Sequence, residues 1–307
     1  MRLFDLHCDT LTECYRKGET LDFCTGDVDL SRGEIYEPWC QVFAVWLSDA
    51  VHGEAAWRYC LRVLTYARRS QRKLADRLRF VSTRAALHDA LDNGQTVGIL
   101  GVENGAALGG KAERVRVLAA LGVRVLTLTW NGQNELGNGC MSGIQNGLTP
   151  CGKAVLQELE KHRMIADVSH LNEAGFWDVA DRSQRPFIAS HSVSSAVNDH
   201  VRNLTDKQFC AVRDHGGVVG ITLCETQLGE QSFDCLYRHV MQYLSLGGDK
   251  TVALGFDLDG TFVKPALGGI KAAERFGEFL LRRGLDEKTV NAVLFDNAYR
   301  FFSQVLP

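Results

Sequence analysis

Histidine and carboxylate side chains follow five separate apolar segments of this sequence, each where the segment ends. Neutral imidazoles and carboxylates are the nitrogen and oxygen ligands that Zn²⁺ and similar transition metals take in proteins. A carboxylate shared between two such ions supports a binuclear site that activates water for hydrolysis. In chain order the candidate residues are His7, Asp9, Glu103, His170, His191 and Asp257.

The first of these groups is a His-x-Asp pair. Residues i and i+2 of a strand project to the same side, so His7 and Asp9 can contact one ion while Cys8 points away from it. A single histidine or carboxylate at a strand end more often has a structural role than a functional one. Because all six stand at strand ends that would converge on one mouth, their coincidence predicts a metal site.

Eight apolar segments, rich in β-branched residues, carry these side chains and are typical of strands buried on both faces of a parallel sheet. Amphipathic stretches separate them, which indicates βα units with right-handed crossovers. The predicted strands are 3–8, 41–47, 97–102, 123–129, 164–168, 187–190, 217–223 and 252–256. The predicted helical regions are 55–92, with room for more than one helix, 111–121, 150–162, 173–181, 206–215, 233–246, 269–283 and 286–305.

Eight such units in 307 residues predict a single α/β domain over residues 1–307, a (β/α)8 TIM barrel. In this architecture catalytic groups lie at the carboxyl ends of the strands. A doubly wound open sheet is the alternative architecture. Neither nucleotide-binding fingerprint of that alternative, GxGxxG after a strand or GxxxxGK[ST], occurs in the sequence.

The composition narrows the class of protein. A hydrophobic content of 45%, a charged content of 23% and only five prolines exclude a disordered or collagen-like chain. The net charge of −3 gives no electrostatic reason to expect nucleic acid or an anionic membrane as a partner. Ten scattered cysteines without a CxxC pair, no signal-like apolar region at the N-terminus and no apolar run of about 18 residues predict a soluble, cytoplasmic protein with free thiols.

At this point the residues resemble the membrane dipeptidase (renal dipeptidase) family of zinc metallopeptidases, within the amidohydrolase superfamily. The resemblance runs from the first predicted strand to at least Gly260. Its motifs are specific as a set. They are DLHCDT (5–10), GVENG (101–105), GLTP (147–150), IADVSH (165–170), SHS (190–192), VRNL (201–204) and GFDLDG (255–260).

Carried over position by position, the resemblance implies two zinc ions per chain. His7 and Asp9 would bind one ion and His170 and His191 the other, with Glu103 bridging both. Arg202 matches the arginine that receives the substrate's C-terminal carboxylate, a role that suits its bidentate guanidinium. Asp257 matches the catalytic aspartate that passes a proton to the leaving amine.

Trp130 departs from the family's pattern. The better-known members carry a histidine at this point, where it polarises the scissile carbonyl or stabilises its oxyanion. An indole donates one hydrogen bond but carries no charge, and losing an oxyanion donor costs on the order of 10²–10³ in rate in other enzymes. Either a neighbouring group supplies this stabilisation, or Trp130 is an apolar wall for a different substrate. The neighbouring candidates are Asn131, Gln133, Asn134 and the metal itself.

The leading hypothesis is a zinc metallopeptidase that hydrolyses small dipeptides, with those carrying a C-terminal D-residue among the candidate substrates. The candidate substrate-binding residues are Arg202, Trp130 and Asn131. A related amidohydrolase acting on another small amide, lactam or ester is the second hypothesis; deamination is disfavoured because superfamily deaminases generally begin with HxH and use one metal. The third is a catalytically silent metal-binding homologue, suggested by Trp130. Relatives are often homodimers, but the residues themselves do not indicate an oligomeric state.

Overall fold

The computed structural model describes residues 1–307 and contains eight β-strands, all paired in parallel. Each strand is largely buried, as expected for a parallel sheet covered by helices. The strands are β1 Leu3–Cys8, β2 Trp39–Trp46, β3 Leu78–Phe80, β4 Thr96–Glu103, β5 Val123–Thr127, β6 Ile165–Asp167, β7 Val219–Ile221 and β8 Val252–Leu254.

The sheet curls into a closed barrel. Seven strands follow the order β6-β5-β4-β2-β1-β8-β7. The segment 187–190 closes the gap between β6 and β7. Its Ile188 pairs with Asp167 of β6 on one side, and its Ala189 pairs with Val219 of β7 on the other. The predicted sixth strand therefore occupies its place in the barrel, but as isolated bridges and not as a continuous strand.

β3 is the one strand that the sequence did not predict. It lies inside the region 55–92, for which the sequence predicts helix with room for more than one. Leu78 and Phe80 pair with Thr96 and Gly98 at the start of β4. β3 therefore lies outside the barrel, which consists of the other seven strands and the segment 187–190. The predicted helical region is thus two helices with a three-residue strand between them.

Thirteen α-helices surround the barrel, and the predicted helices are present with small shifts at their ends. Thr149 and Pro150 begin α6, where the Thr149 hydroxyl accepts a hydrogen bond from the Gly152 amide. None of the helices combines the length and the apolar character needed to cross a lipid bilayer. The helices are α1 Thr10–Lys17, α2 Leu30–Gly33, α3 Gly53–Lys73, α4 Arg84–Asp92, α5 Arg114–Ala120, α6 Pro150–Lys161, α7 Glu173–Arg182, α8 Asp206–Asp214, α9 Glu225–Leu228, α10 Phe233–Ser245, α11 Ala272–Arg282, α12 Glu287–Asn291 and α13 Asn297–Val305.

A cluster of twenty buried apolar side chains fills the lower interior of the barrel and draws members from nearly every strand. Phe4 from β1 stacks on Phe302 from α13, with ring centroids 5.1 Å apart. The Asn297 amide donates to the carbonyl oxygen of Asp249, just before β8. The C-terminal helix therefore closes the amino end of the barrel, and only the carboxyl end stays open for a ligand.

Candidate metal centre and active site

Three of the predicted ligands meet at the ends of β1 and β4. The Nε2 atom of His7 lies 3.2 Å from Glu103 Oε2 and 3.8 Å from Asp9 Oδ1. The register of β1 against β2 shifts between Asp5 and Cys8. Cys8 itself is fully buried in the outer apolar core, as the alternation of side chains predicted.

The other two predicted ligands meet on the opposite side of the same glutamate. His170 Nε2 lies 2.9 Å from Glu103 Oε1 and 2.9 Å from His191 Nε2. His191 Nε2 is 3.8 Å from Glu103 Oε1. Glu103 thus presents one oxygen to each group of ligands, which is the arrangement that a bridging carboxylate needs.

Asp257 lies between the two groups. Its Oδ1 is 3.7 Å from His7 Nε2, and the donor atoms of His7, His191 and Asp257 all lie within 4.8 Å of one another. Burial raises the pKa of the Asp257 carboxyl to about 7. Such a group can both accept and release a proton near neutral pH.

The charges of the centre favour a cation. Burial by itself lowers the pKa of His7, but the carboxylates of Glu103, Asp257 and Asp9 outweigh it and raise that pKa to about 10. Oδ1 of Asp9 is buried and has no hydrogen-bond partner. A buried, unpaired carboxylate oxygen is costly, and a coordinated cation would remove that cost.

His170 and His191 are held as neutral imidazoles. Burial, with the nearby charge of Arg202, lowers the pKa of His170 to about 3. Burial, with the neighbouring imidazole of His7, lowers the pKa of His191 well below its ordinary value. Neutral imidazole is the form of histidine that binds metals. The protonation state of these two residues therefore fits the ligand role.

A serine and an aspartate orient His191. The Ser190 hydroxyl lies 2.6 Å from Asp167 Oδ2 and 2.7 Å from His191 Nδ1. An ionised carboxylate only accepts hydrogen bonds, so the hydroxyl donates to Asp167 and accepts from His191 Nδ1–H. This leaves His191 Nε2 without a proton and facing Glu103, as metal-ligating histidines require.

Asn131 orients the imidazole of His170 in the same way. Its side-chain oxygen lies 2.9 Å from His170 Nδ1, and because an amide oxygen can only accept, the proton must be on Nδ1. His170 Nε2 is therefore free for coordination. The geometry assigns Asn131 a contact with a candidate ligand, in addition to its place on the cavity wall.

The backbone is strained around the centre. Four of the five non-glycine residues with positive φ flank it, namely Asn104, His170, Asp257 and Asp259, at φ values of 86°, 70°, 61° and 65°. Residues held in this region cluster at functional sites because surrounding structure must impose the conformation. Gly260 sits so close to the centre that a Cβ atom would press against Asp257 Oδ1 and lie 2.7 Å from Asp9 Oδ2.

A cavity of about 510 Å³ opens onto these residues at the carboxyl end of the barrel, a size typical of small-ligand sites. Trp46 and Trp130 form one wall, packed edge to face with ring centroids 5.1 Å apart. Trp130 also lies 6.2 Å from the His170 ring. Trp130, for which an apolar wall is one of the two alternatives drawn from the sequence, thus belongs to a pair of indoles beside a candidate ligand.

Arg202 lines the same cavity. Its Nε and Nη2 atoms are buried and have no hydrogen-bond partner within the protein. The main-chain amide of Arg202 donates to His200 Nδ1 at 3.2 Å, which fixes the segment. Two unpaired, buried donors of one guanidinium are an anion site in both charge and shape.

The six candidate ligand and catalytic residues and the three candidate substrate-binding residues therefore lie at this one cavity or its floor, whereas Gln133 and Asn134 do not line it. Sequence reasoning missed the residues that support them. Ser190 and Asp167 were inside the recognised motifs, immediately and three residues before a ligand, but nothing in their spacing identified them as orienting groups. Trp46 could have been found as the last residue of a strand, whereas His200 carried no signal beyond its position.

Comparisons with known proteins agree with this architecture. The family model described as membrane dipeptidase (peptidase family M19) matches residues 1–306. An uncharacterized protein in the pqqA 5′ region of Klebsiella pneumoniae is 31% identical over 244 residues, which is 75% of this chain and 90% of that protein. The solved structure of dipeptidase AC, a metallopeptidase of the same family, superimposes with a TM-score of 0.93 at 24% identity, covering 100% of this chain and 99% of that one.

A second solved structure is a metallopeptidase from Rhodobacter sphaeroides liganded with a phosphinate mimic of the dipeptide L-Ala-D-Ala. It superimposes with a TM-score of 0.92 at 24% identity and covers 99% of both chains. At this identity the two superpositions show a shared fold. They confirm the predicted (β/α)8 barrel fold.

Proposed function

Because this chain belongs to the membrane dipeptidase family of metallopeptidases, we propose that it hydrolyses the peptide bond of small dipeptides with two zinc ions. The observation that carries the proposal is the pairing, in one cavity, of a buried ligand cluster with the unpaired guanidinium of Arg202. The ligand cluster would bind metal, and the guanidinium of Arg202 would bind a carboxylate. A free dipeptide supplies that carboxylate at a fixed distance from its scissile bond.

The ligand set divides into two groups that share Glu103. His7 and Asp9 would hold one ion, and His170 and His191 the other. The donors are imidazole nitrogen and carboxylate oxygen, which suit Zn²⁺. When bound, such a pair of ions supplies Lewis acidity, which polarises the scissile carbonyl and lowers the pKa of water.

Arg202 would fix the C-terminal end of the substrate. Its two unpaired N–H groups match the two oxygens of a carboxylate, and the pair would form without breaking any hydrogen bond inside the protein. Holding the substrate at this end places its peptide bond toward the ligand cluster. Orientation of this kind contributes to catalysis by removing the need for a productive collision.

Asp257 would handle the proton. Its carboxyl is buried beside His7 and its pKa is raised to about 7, so it can accept a proton from the attacking water and hold it on a carboxyl oxygen. It would then release the proton to the amine that leaves. Gly260 leaves Asp257 the room that a side chain at position 260 would occupy.

Trp46 and Trp130 would form the wall against the substrate's side chains and exclude water from that part of the cavity. The indole of Trp130 cannot carry positive charge to a developing oxyanion, and Asn131 is engaged with His170. This observation favours a second candidate, hydrolysis of another small amide or lactam whose apolar body fits the indoles. Dipeptides with a C-terminal D-residue belong to the leading proposal, in line with the mimic bound by the Rhodobacter sphaeroides protein.

The test is a metal analysis combined with a hydrolysis screen. The purified protein should hold close to two equivalents of zinc and cleave dipeptides, including L-Ala-D-Ala, with activity lost in chelator and restored by zinc. Asp257→Asn should keep its metal and lose turnover. Metal-replete protein that leaves a broad dipeptide panel intact but opens cyclic amides would favour the second candidate, and inertness on both would indicate a silent homologue.

A further inference from the structure

A second polar side chain faces the cavity without a partner. Gln227 lies on α9, is only 1% exposed, and lines the same cavity as Arg202. Neither its Nε2 nor its Oε1 makes a hydrogen bond within the protein. A buried amide with both ends unpaired costs free energy, so its presence at a ligand cavity points to a partner that enters with the ligand.

The main chain of Gln227 is fixed independently of its side chain. Its carbonyl oxygen accepts hydrogen bonds from the side-chain amides of Asn198 and Asn203, both at 2.8 Å. Asn203 directly follows Arg202, so this contact ties α9 to the segment that carries the guanidinium. The next residue, Leu228, accepts from the imidazole of His239 on α10. Contacts to the main chain thus fix the position of Gln227 in the lining of the cavity.

We propose that Gln227 binds the C-terminal carboxylate of the substrate together with Arg202, its Nε2–H donating to an oxygen that the guanidinium leaves free. This inference rests on the proposed dipeptidase function and adds a residue to its substrate site. An ionised carboxylate offers about four acceptor positions, of which a bidentate arginine uses two. The amide of Gln227 is another unpaired donor among the residues that line the same cavity.

The charges around the cavity support this end of the substrate over the other. The acidic side chains Asp9, Glu103 and Asp257 belong to the metal cluster and supply no hydrogen-bond donor to a carboxylate. Gln227 is tied instead to the Arg202 segment, where the unpaired cation lies. Next to a carboxylate the amide must present Nε2 and not Oε1, since two acceptors repel each other.

The experiment compares a dipeptide with its C-terminal amide, because the amide lacks the charged group that Gln227 would bind. For alanyl-alanine, Gln227→Leu should raise KM about 10-fold to 100-fold, the usual worth of a hydrogen bond to a charged group, with kcat little changed. For alanyl-alaninamide the same variant should leave KM unchanged. Gln227→Glu, which has the same shape and adds a negative charge, should raise KM for the dipeptide more than Gln227→Leu does.

Gln242→Leu is the matched control, since Gln242 lies on α10 with its amide bonded to Asp206; it should alter neither KM. Equal increases in KM for the two substrates, or no increase for either, would overturn the role of Gln227. Cleavage of alanyl-alanine by the wild-type protein tests the proposed function separately. A wild-type protein that neither binds nor cleaves it would overturn both proposals.

Discussion

The hydrogen bond between Ser190 and His191 allows a direct test of how the second layer of residues supports the metal centre. In Ser190→Ala the Nδ1–H of His191 loses its acceptor at 2.7 Å, and Asp167 loses a hydroxyl donor at 2.6 Å. Asp167 keeps the Ser169 and Ser190 main-chain amides and the Thr127 hydroxyl. The Ser190 hydroxyl also lies 3.5 Å from His7 Nδ1, so the perturbation falls chiefly on His191 and to a lesser degree on His7, and it does not dismantle the carboxylate's environment.

The size of the effect follows from burial. Ser190 and His191 are both fully buried, so water cannot replace the lost acceptor, and an unsatisfied buried donor costs about 1–3 kcal/mol. Substitutions of groups that orient metal-bound histidines typically cost 10–100-fold in metal affinity. We therefore expect zinc affinity to fall by about one to two orders of magnitude, equivalent to about 1.4–2.8 kcal/mol.

The assay is competition for zinc between the protein and a chromophoric chelator at constant pH. Ser192→Ala is the matched control, because Ser192 is also buried but its hydroxyl has no hydrogen-bond partner. Wild-type affinity in Ser190→Ala would refute the reasoning. An equal loss in the control would show that packing near the strand end, and not the hydrogen bond to His191, sets the affinity.

Three further predictions concern the rest of the molecule. Arg202→Met should lower kcat/KM for dipeptides by about 30-fold to 4,000-fold, the result of about 2–5 kcal/mol for a lost buried charge pair, with an unchanged melting temperature; a loss of comparable size on the C-terminal amide would contradict it. Gly260→Ala should displace Asp257 and reduce kcat on the order of 10²-fold; because the added Cβ would also press on Asp9, the zinc content should be measured alongside kcat. Burial lowers the pKa of His239 to about 4, so the unfolded chain binds more protons between about pH 6.5 and 4 and stability falls as pH falls through that window, by up to about 3 kcal/mol from this residue. His239→Leu should be less stable than wild type at pH 7, and the difference in melting temperature should shrink on acidification; a constant difference would refute the assignment.

The fold could be predicted largely because parallel strands buried on both faces leave a plain signal. Segments such as 97–102 are apolar throughout, and the side chains that interrupt the pattern stand at their ends. β3 escaped prediction because its three residues, interrupted by Arg79, form no apolar run, whereas the equally short β7 and β8 are apolar throughout and lie within longer apolar segments. The segment 187–190 was recognised as a strand from its composition, although its pairing is reduced to single bridges on each side.

The candidate ligands could be predicted because the carboxyl ends of barrel strands must converge. Orienting contacts could not, because they depend on which atoms of distant segments approach. Asp167 contacts Ser190 across 23 positions of the chain, and Asn131 reaches His170 across 39. Gln227 belongs to no motif, and only the three-dimensional arrangement shows that its amide is both buried and unpaired.

The left-handed backbone at His170 and Asp257 bears on which substitutions such a sequence would accept if selection for activity were lost. Each such residue costs on the order of 1–3 kcal/mol, and glycine adopts the same conformation without that cost. A lineage released from selection for activity would gain stability by accepting glycine at these points, since most proteins keep little stability in reserve. This chain retains histidine and aspartate there. In a homologue that has lost its activity, we expect glycine to replace the residues at these two positions early.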